Sequence, residues 1–384
     1  MTWQEFSGKY IQKDKEVVAI CGTHGKSSTT AMIGLMMEHA QLDPIVEVGT
    51  IVNEWGAGYR IANSKYFVCE ADEFNNNFLN YNPSYLVINN IEMDHPEFFN
   101  NIGEIIKSYI DFIRKLINQK ILIVNFDNEG IRTVLEMTKE WILNNDVKIY
   151  GYCTNINNIM KWINANIYIY KILEEDIHGT SFSINNEISF HIGIPGIHNV
   201  QNAMSAYCLA KALNIDDNEY SISIDSFHGI SRRLDKKYDE NGIVLFDDYA
   251  HHPTEIRAIL NTIKHIYKTK KIIAIFEPHQ ISRFKLFVDE FVDAFKIADE
   301  IIVTKTYIGR EISKNIEPLD IKVFIEKVKK KTLYIEEFNE VEKYVIDNLS
   351  NNEVIIVFGA GYSYKLTQKI NESLRKRIHK SLDK

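Results

Sequence analysis

Glu16-Val-Val-Ala-Ile-Cys-Gly-Thr-His-Gly-Lys-Ser-Ser-Thr-Thr30 joins an apolar, β-branched run to a glycine loop that ends in Gly-Lys-Ser. A strand, a glycine loop and a helix in that order aim successive backbone N–H groups at phosphate oxygens, with a lysine as point charge and a hydroxyl as Mg²⁺ ligand. Lys26 and Ser27 fit those two roles, and Gly22, Thr23, His24, Gly25 and Ser28 complete the cradle. Ile20 stands where G-x-x-x-x-G-K-[ST] has its first glycine, so the stretch departs from the general pattern. It reads as a nucleoside-triphosphate site.

The rest of the chain sets bounds on that reading. Its 384 residues suit two domains, or three small ones. The net charge of -8 disfavours a nucleic-acid surface, so a bound ATP has to be held by local charges and Mg²⁺. Cys21, Cys69, Cys153 and Cys208 are scattered, without C-x-x-C spacing or clustered histidines for zinc, and read as small buried thiols in a reducing compartment. Met1–Tyr10 lacks the basic start and apolar core of a signal peptide, and no apolar run reaches the ~20 residues that span a bilayer. The expectation is a soluble, cytoplasmic protein with no membrane or nucleic-acid partner.

Past the loop, strand-like and helix-like segments alternate, which predicts a mainly parallel sheet covered by helices. Tyr66–Glu70, Tyr85–Asn89 and Ile121–Asn125 are candidate strands. Between Ala165 and Phe190 the period changes to two around Asn185-Asn186, which predicts an antiparallel hairpin packed on one face. Asn199–Leu213 looks helical and closes the first unit. A second alternation has strands at Ile243–Phe246, Lys271–Phe276, Glu300–Thr304 and Val354–Phe358. Phe284, Phe287, Val288, Phe291, Val292 and Phe295 recur at helical spacing, as on a core-facing helix surface rather than a cofactor box. The charged stretch Arg232–Glu240 is the linker candidate, giving domains 1–235 and 236–384.

Several polar groups fall at strand ends, where open α/β sheets bind their ligands. Glu70-Ala-Asp-Glu73 closes one strand and Asn89-Asn-Ile-Glu-Met-Asp-His95 the next, so both face the phosphates held by Gly25 and Lys26. A carboxylate and an imidazole there suit Mg²⁺ that neutralises charge on a transferred phosphoryl group. Helix capping explains each acidic residue singly, but less well their joint occurrence. Asn199 and Asn202 share a helical face after Pro195-Gly196, a spacing at which two amides can address one base, though it is also an ordinary helix start. In the second half, Ser231-Arg-Arg-Leu-Asp235, Phe246-Asp-Asp-Tyr-Ala-His-His-Pro-Thr-Glu255 and Glu277-Pro-His-Gln-Ile-Ser-Arg283 gather charge at a presumed hinge and at strand ends. A solvated loop is the plain alternative for each.

In this order, these segments resemble the Mur ligase family, and within it the alanine-adding branch. Gly22-Thr-His-Gly-Lys26, Glu70-Ala-Asp-Glu73, Asn90-Ile-Glu-Met-Asp-His95, Pro195-Gly-Ile-His-Asn199 with Asn202, Arg232-Arg233, Asp247–Glu255, Pro278-His279 with Arg283, and Gly359-Ala-Gly361 carry the resemblance almost from end to end. It implies a P-loop ATPase-like central domain followed by a Rossmann-like C-terminal domain. It also implies an ATP-dependent carboxylate-amine ligase of peptidoglycan biosynthesis that works through an acyl phosphate, with ATP and Mg²⁺ as cofactors and a small carboxylate and an amino acid as substrates. The roles implied are Lys26 on the β- and γ-phosphates, Ser27 and Glu70 on one Mg²⁺, and His95 on a second. Asn199 and Asn202 look like adenine contacts. Arg233 and Asp248 would reach the nucleotide on domain closure, while His251, His252 and Arg283 would face the carboxylate and the amino acid.

Three departures qualify the resemblance. Ser27 replaces the family's threonine and keeps the metal ligand. Gln280 replaces the first arginine of Pro-His-Arg-x-x-Arg, which predicts the loss of a charge near the substrate. Only the residues before Gly22 precede the loop, where the family carries an N-terminal UDP-sugar domain, and no G-x-G-x-x-G stands there. The expectations are therefore a ligase of the muramate:alanine type without that domain, a separate N-terminal-type domain or subunit as a candidate partner, and poor use of a UDP-sugar by this chain alone. The alternatives are a Mur-type ligase for a carboxylate without UDP, and an ATP-binding paralogue with weakened catalysis. A simple P-loop kinase or ATPase leaves the second half unexplained.

Overall fold

The structure, a computed structural model, describes residues 1–311 and 321–382, which form two compact units, Met1–Ser231 and Arg232–Lys384. The first unit is built on ten strands. In chain order these are β1 (Glu16–Cys21), β2 (Ile45–Val52), β3 (Ala57–Arg60), β4 (Tyr66–Glu70), β5 (Tyr85–Ile88), β6 (Ile121–Asn125), β7 (Lys148–Cys153), β8 (Ala165–Asp176), β9 (Gly179–Ile184) and β10 (Ile188–Ile192). They lie in the order β10-β9-β8-β7-β6-β5-β1-β4-β2-β3. From β2 to β8 the neighbours run parallel, while β3, β9 and β10 pair antiparallel at the two edges.

From Val17 on the opening strand is apolar, because neither of its faces meets solvent. Val18 and Ile20 point into a core shared with the helices Lys26–His39 and Ile197–Ala212. Val17, Ala19 and Cys21 point into a second core under Ile102–Ile113 and Glu129–Asn144. Burial on both faces is what a central parallel strand requires. Each fully buried Val or Ile contributes roughly 1.5–3 kcal/mol, so a charge at Ile20 would open the core directly beneath the loop. The chain adds β4 on one side of β1 and β5 on the other. That places the strand-order reversal, and hence a ligand-binding crevice, at the carboxyl end of β1. All four cysteines are buried and unpaired.

The second unit has β11 (Asp235–Glu240), β12 (Ile243–Asp248), β13 (Lys271–Phe276), β14 (Glu300–Val303), β15 (Lys331–Tyr334) and β16 (Glu353–Phe358), ordered β11-β12-β16-β13-β14-β15. All pairs are parallel except β11 with β12. The return of β16 between β12 and β13 makes a second reversal, flanked by the ends of those strands. The fold is the α/β one expected, with two corrections of detail. The stretch read as a linker mostly forms β11, because an edge strand tolerates charge on its open side. The expected hairpin is a three-stranded meander: β9 and β10 turn at Asn185-Asn186, and β8 and β9 reverse again just before Gly179. Among the described residues no helix is long and apolar enough to cross a membrane.

Candidate active site

The loop after β1 is laced to the segment after β5. Thr23 N donates to Asn90 O at 3.1 Å, His24 N to Asn90 Oδ1 at 2.7 Å, and Glu92 N to Thr23 Oγ1 at 2.8 Å. Gly25 caps the helix at φ 77°, a left-handed conformation that favours glycine, and a Cβ there would collide with Asn202 Oδ1. The helix then starts at Lys26, so the N–H groups of its first turn and the positive end of its dipole face the crevice. Ser28 is buried in that turn.

Two clusters of donor atoms adjoin Lys26. In one, Ser27 Oγ donates to Glu70 Oε1 at 3.0 Å, and Gly49 N to Glu70 Oε2 at 2.8 Å. In the other, the side chains of Asp72, Glu73 and His95 each offer a ligand atom within 4.8 Å of the others. His95 sits at φ 53°, with its Nδ1 3.3 Å from Glu97 Oε1 and its Nε2 3.7 Å from Glu73 Oε1. Burial opposes the charged imidazole, but Asp94, the Glu97 hydrogen bond and Glu73 raise its pKa above the ordinary value. Lys26 Nζ is held by a member of the second cluster, 2.9 Å from Glu73 Oε2. Burial works against its ammonium, yet Glu73, Asp72 and Glu70 outweigh that and raise its pKa. The hydroxyl and carboxylate oxygens fit a hard divalent cation such as Mg²⁺, whereas the His95 imidazole is a softer donor.

Asn199 and Asn202 are buried beside this loop; Asn199 Nδ2 donates to Pro195 O at 2.7 Å and Asn202 abuts Gly25. Asp72 and Glu73, which the sequence places after Glu70 without a role of their own, join His95 in a candidate cation cluster. Their signal was present in the run of carboxylates after Glu70.

In the second unit, Asp248 is fully buried at the end of β12, where its carboxylate accepts Leu234 N at 2.6 Å and Ala250 N at 2.7 Å. Burial pushes its pKa up to about 6 against the opposing pull of Arg233. Arg233 donates to Glu255 at 2.9 Å. Arg232 is committed elsewhere, to Ser363 Oγ at 2.9 Å and to Gly359 O, and both guanidiniums lie over Tyr249.

His251 Nδ1 is 3.1 Å from Tyr249 O, and its ring centroid is 5.2 Å from that of His279, which stacks on Tyr307. His279 is thus part of the cluster, beside His251. His252 and Arg283 are both buried. His252 is 3% exposed, accepts Thr254 N as a helix cap and packs on Phe287. Arg283, at 1% exposure, donates to His279 Nδ1 at 2.8 Å and to Gln280 Oε1 at 2.9 Å. Gln280 is an interior residue whose amide oxygen accepts from Arg283.

Residues 20–210 match the Mur ligase middle domain and residues 232–361 the domain described as "Mur ligase, glutamate ligase domain". A UDP-N-acetylmuramate--L-alanine ligase of Caldicellulosiruptor saccharolyticus is 37% identical over 363 residues, which is 93% of this chain and 76% of the relative. The chain belongs to the Mur ligase family. A Clostridium perfringens relative of the same name is 34% identical over 93% of this chain and 76% of its own length. The crystal structure of the UDP-N-acetylmuramate-alanine ligase of Thermotoga maritima superposes with a TM-score of 0.76 at 24% identity, covering 97% of this Mur ligase and 78% of that chain, and establishes the shared fold. This Mur ligase is an ATP-dependent, amide-forming enzyme of the type those relatives represent.

Proposed function

We propose that this Mur ligase joins L-alanine to the carboxylate of UDP-N-acetylmuramate, the reaction for which its relatives are named, as a step of peptidoglycan synthesis. The observation that carries the reading is the meeting of Lys26, bonded to Glu73 of one cation-fitting cluster, and Ser27, bonded to Glu70 of the other, at the topological reversal of the first sheet. Lys26 would hold the β- and γ-phosphates, with the first-turn N–H groups cradling the rest. Ser27 and Glu70 would hold one Mg²⁺, and His95, with Asp72 and Glu73, a second; such cations neutralise charge as the phosphoryl group moves. Asn199 and Asn202 would line the adenine side.

The substrate carboxylate attacks the γ-phosphorus and ADP leaves. The amine then attacks the acyl phosphate, and phosphate departs from the tetrahedral intermediate. Arg233 and Asp248 are the second unit's proposed nucleotide contacts. His251 and His279 are exposed enough to meet the reacting anions, whereas Arg283 orients His279 from beneath and His252 holds the helix that follows it. Cationic groups beside two anions are what the transition state needs.

Phosphate release with UDP-N-acetylmuramate, with carboxylates lacking UDP and with a panel of amino acids, followed by mass spectrometry of the product, tests this. The expected product is the L-alanyl amide of UDP-N-acetylmuramate. Amide formation only on another carboxylate would replace the substrate, and absence of any product would replace the activity. Adding a separately expressed N-terminal-type domain tests whether such a partner supplies sugar-nucleotide binding.

A further inference from the structure

An ammonium has three N–H donors, and those of Lys26 are all engaged. Nζ lies 2.7 Å from Gly22 O, 2.9 Å from Glu73 Oε2 and 3.1 Å from Glu73 Oε1, with Thr23 O at 3.3 Å. The two carbonyls belong to the loop itself and remain acceptors when a ligand arrives. A phosphate oxygen therefore obtains a Lys26 N–H by taking it from Glu73. That exchange is costly by itself, because Glu73 is 2% exposed and a buried carboxylate stripped of its counter-ion has no water to turn to. Asp72 and Glu70 also act electrostatically on Lys26, so the surroundings of the exchange are already acidic.

The same carboxylate has a second set of neighbours. Its ligand atoms and those of Asp72 and His95 fall within 4.8 Å of one another. Once released by Lys26, Glu73 can pass to a divalent cation held in that cluster without leaving its buried position. We propose that Glu73 is a specificity-determining residue: it holds Lys26 against metal-free nucleotide and yields it to phosphates that arrive with a divalent cation. This rests on the reading of the loop as the nucleotide site. A carboxylate that served only to position Lys26 would have the opposite effect, since its loss would weaken every phosphate ligand alike.

Titration calorimetry on the full chain separates these cases, with ATP in excess EDTA and ATP in excess Mg²⁺ as the probes. Wild type is expected to bind Mg²⁺-ATP at least about tenfold more tightly than free ATP, the scale of one charge-assisted hydrogen bond. In Glu73→Gln and Glu73→Ala the affinity for free ATP should rise about tenfold while that for Mg²⁺-ATP should not rise, because the variants free Lys26 but give up a cation ligand, so the gap closes. Glu73→Asp keeps the charge and should keep the gap. An unchanged gap in the two neutral variants, weaker binding of free ATP by them, or the absence of a gap in wild type would each overturn the proposal. Lys26→Ala should lose binding under both conditions; wild-type affinity there would instead remove the nucleotide reading on which the proposal stands.

Discussion

Ser27 Oγ donates to Glu70 Oε1 at 3.0 Å, tying the first turn of the loop helix to the end of β4. The bond joins residues that a parallel pair places at the same sheet edge, since Ile20 is in register with Glu70. It also holds a hydroxyl and a carboxylate in reach of one cation.

If this pair is a cation site, Glu70→Ala removes an interaction that matters most as charge moves in the transition state. Ligation should fall about 100- to 1,000-fold, the loss typical of one electrostatic contact, and Lys26→Ala should cost at least as much. Steady-state phosphate release checks both, with thermal unfolding as the control for folding. Wild-type rates in either variant would sink the assignment.

Asp248 gives a pH dependence with a defined sign. Its folded-state pKa of about 6 lies above the ordinary 3.8, so the folded chain holds this proton more tightly than the unfolded one. Its contribution is most favourable below the unfolded value and is lost as pH rises through about 6. Relative to Asp248→Asn, wild type should therefore lose about 3 kcal/mol of stability between pH 3.5 and 7. Denaturant titrations of both proteins across that range measure the difference. A flat difference would show that Asp248 is ionised as readily in the fold as outside it.

The sequence was most legible where one residue type can satisfy one geometry. The glycines of the loop, the apolar β1 and the carboxylates after β4 each announce a position that few alternatives fill. Reading failed where context decides. Asp235-Lys-Lys-Tyr-Asp-Glu240 has the composition of a linker and becomes an edge strand, because β12 supplies partners on one side and solvent accepts the charges on the other. The stripe from Phe284 to Phe295 has helical spacing but is broken at Phe287 into two helices. The burial of His252 and Arg283 is set by tertiary packing and is not visible in their charge.

Gln280 combines φ 67° with a buried side chain whose amide oxygen accepts a bond from Arg283. Both Gln280→Ala and Gln280→Gly lose that acceptor, but only glycine adopts the backbone without strain. The usual order should invert, with the alanine variant less stable than the glycine variant by about 1 kcal/mol in urea titrations. An alanine variant as stable as the glycine one would mean that the left-handed backbone carries no strain there.

Gly25 and Asn202 permit a sharper test of the loop. A methyl group on Gly25 meets two obstacles: a backbone at φ 77° and the Asn202 amide oxygen against it. Gly25→Ala should lose affinity for Mg²⁺-ADP, because the loop has to shift the N–H groups that cradle phosphate. Asn202→Ala in the same chain removes the collision but leaves the backbone cost, about 1 kcal/mol for an alanine held left-handed. The double variant should recover affinity to within about tenfold of Asn202→Ala alone. Calorimetry with Mg²⁺-ADP and, in parallel, with inorganic tripolyphosphate and Mg²⁺ separates the two jobs of Asn202. If its amide also meets adenine, Asn202→Ala weakens ADP and spares tripolyphosphate. Recovery failing with both ligands would place the constraint on Gly25 in the backbone alone, and the packing of Asn202 on the loop would then have no part in shaping the site.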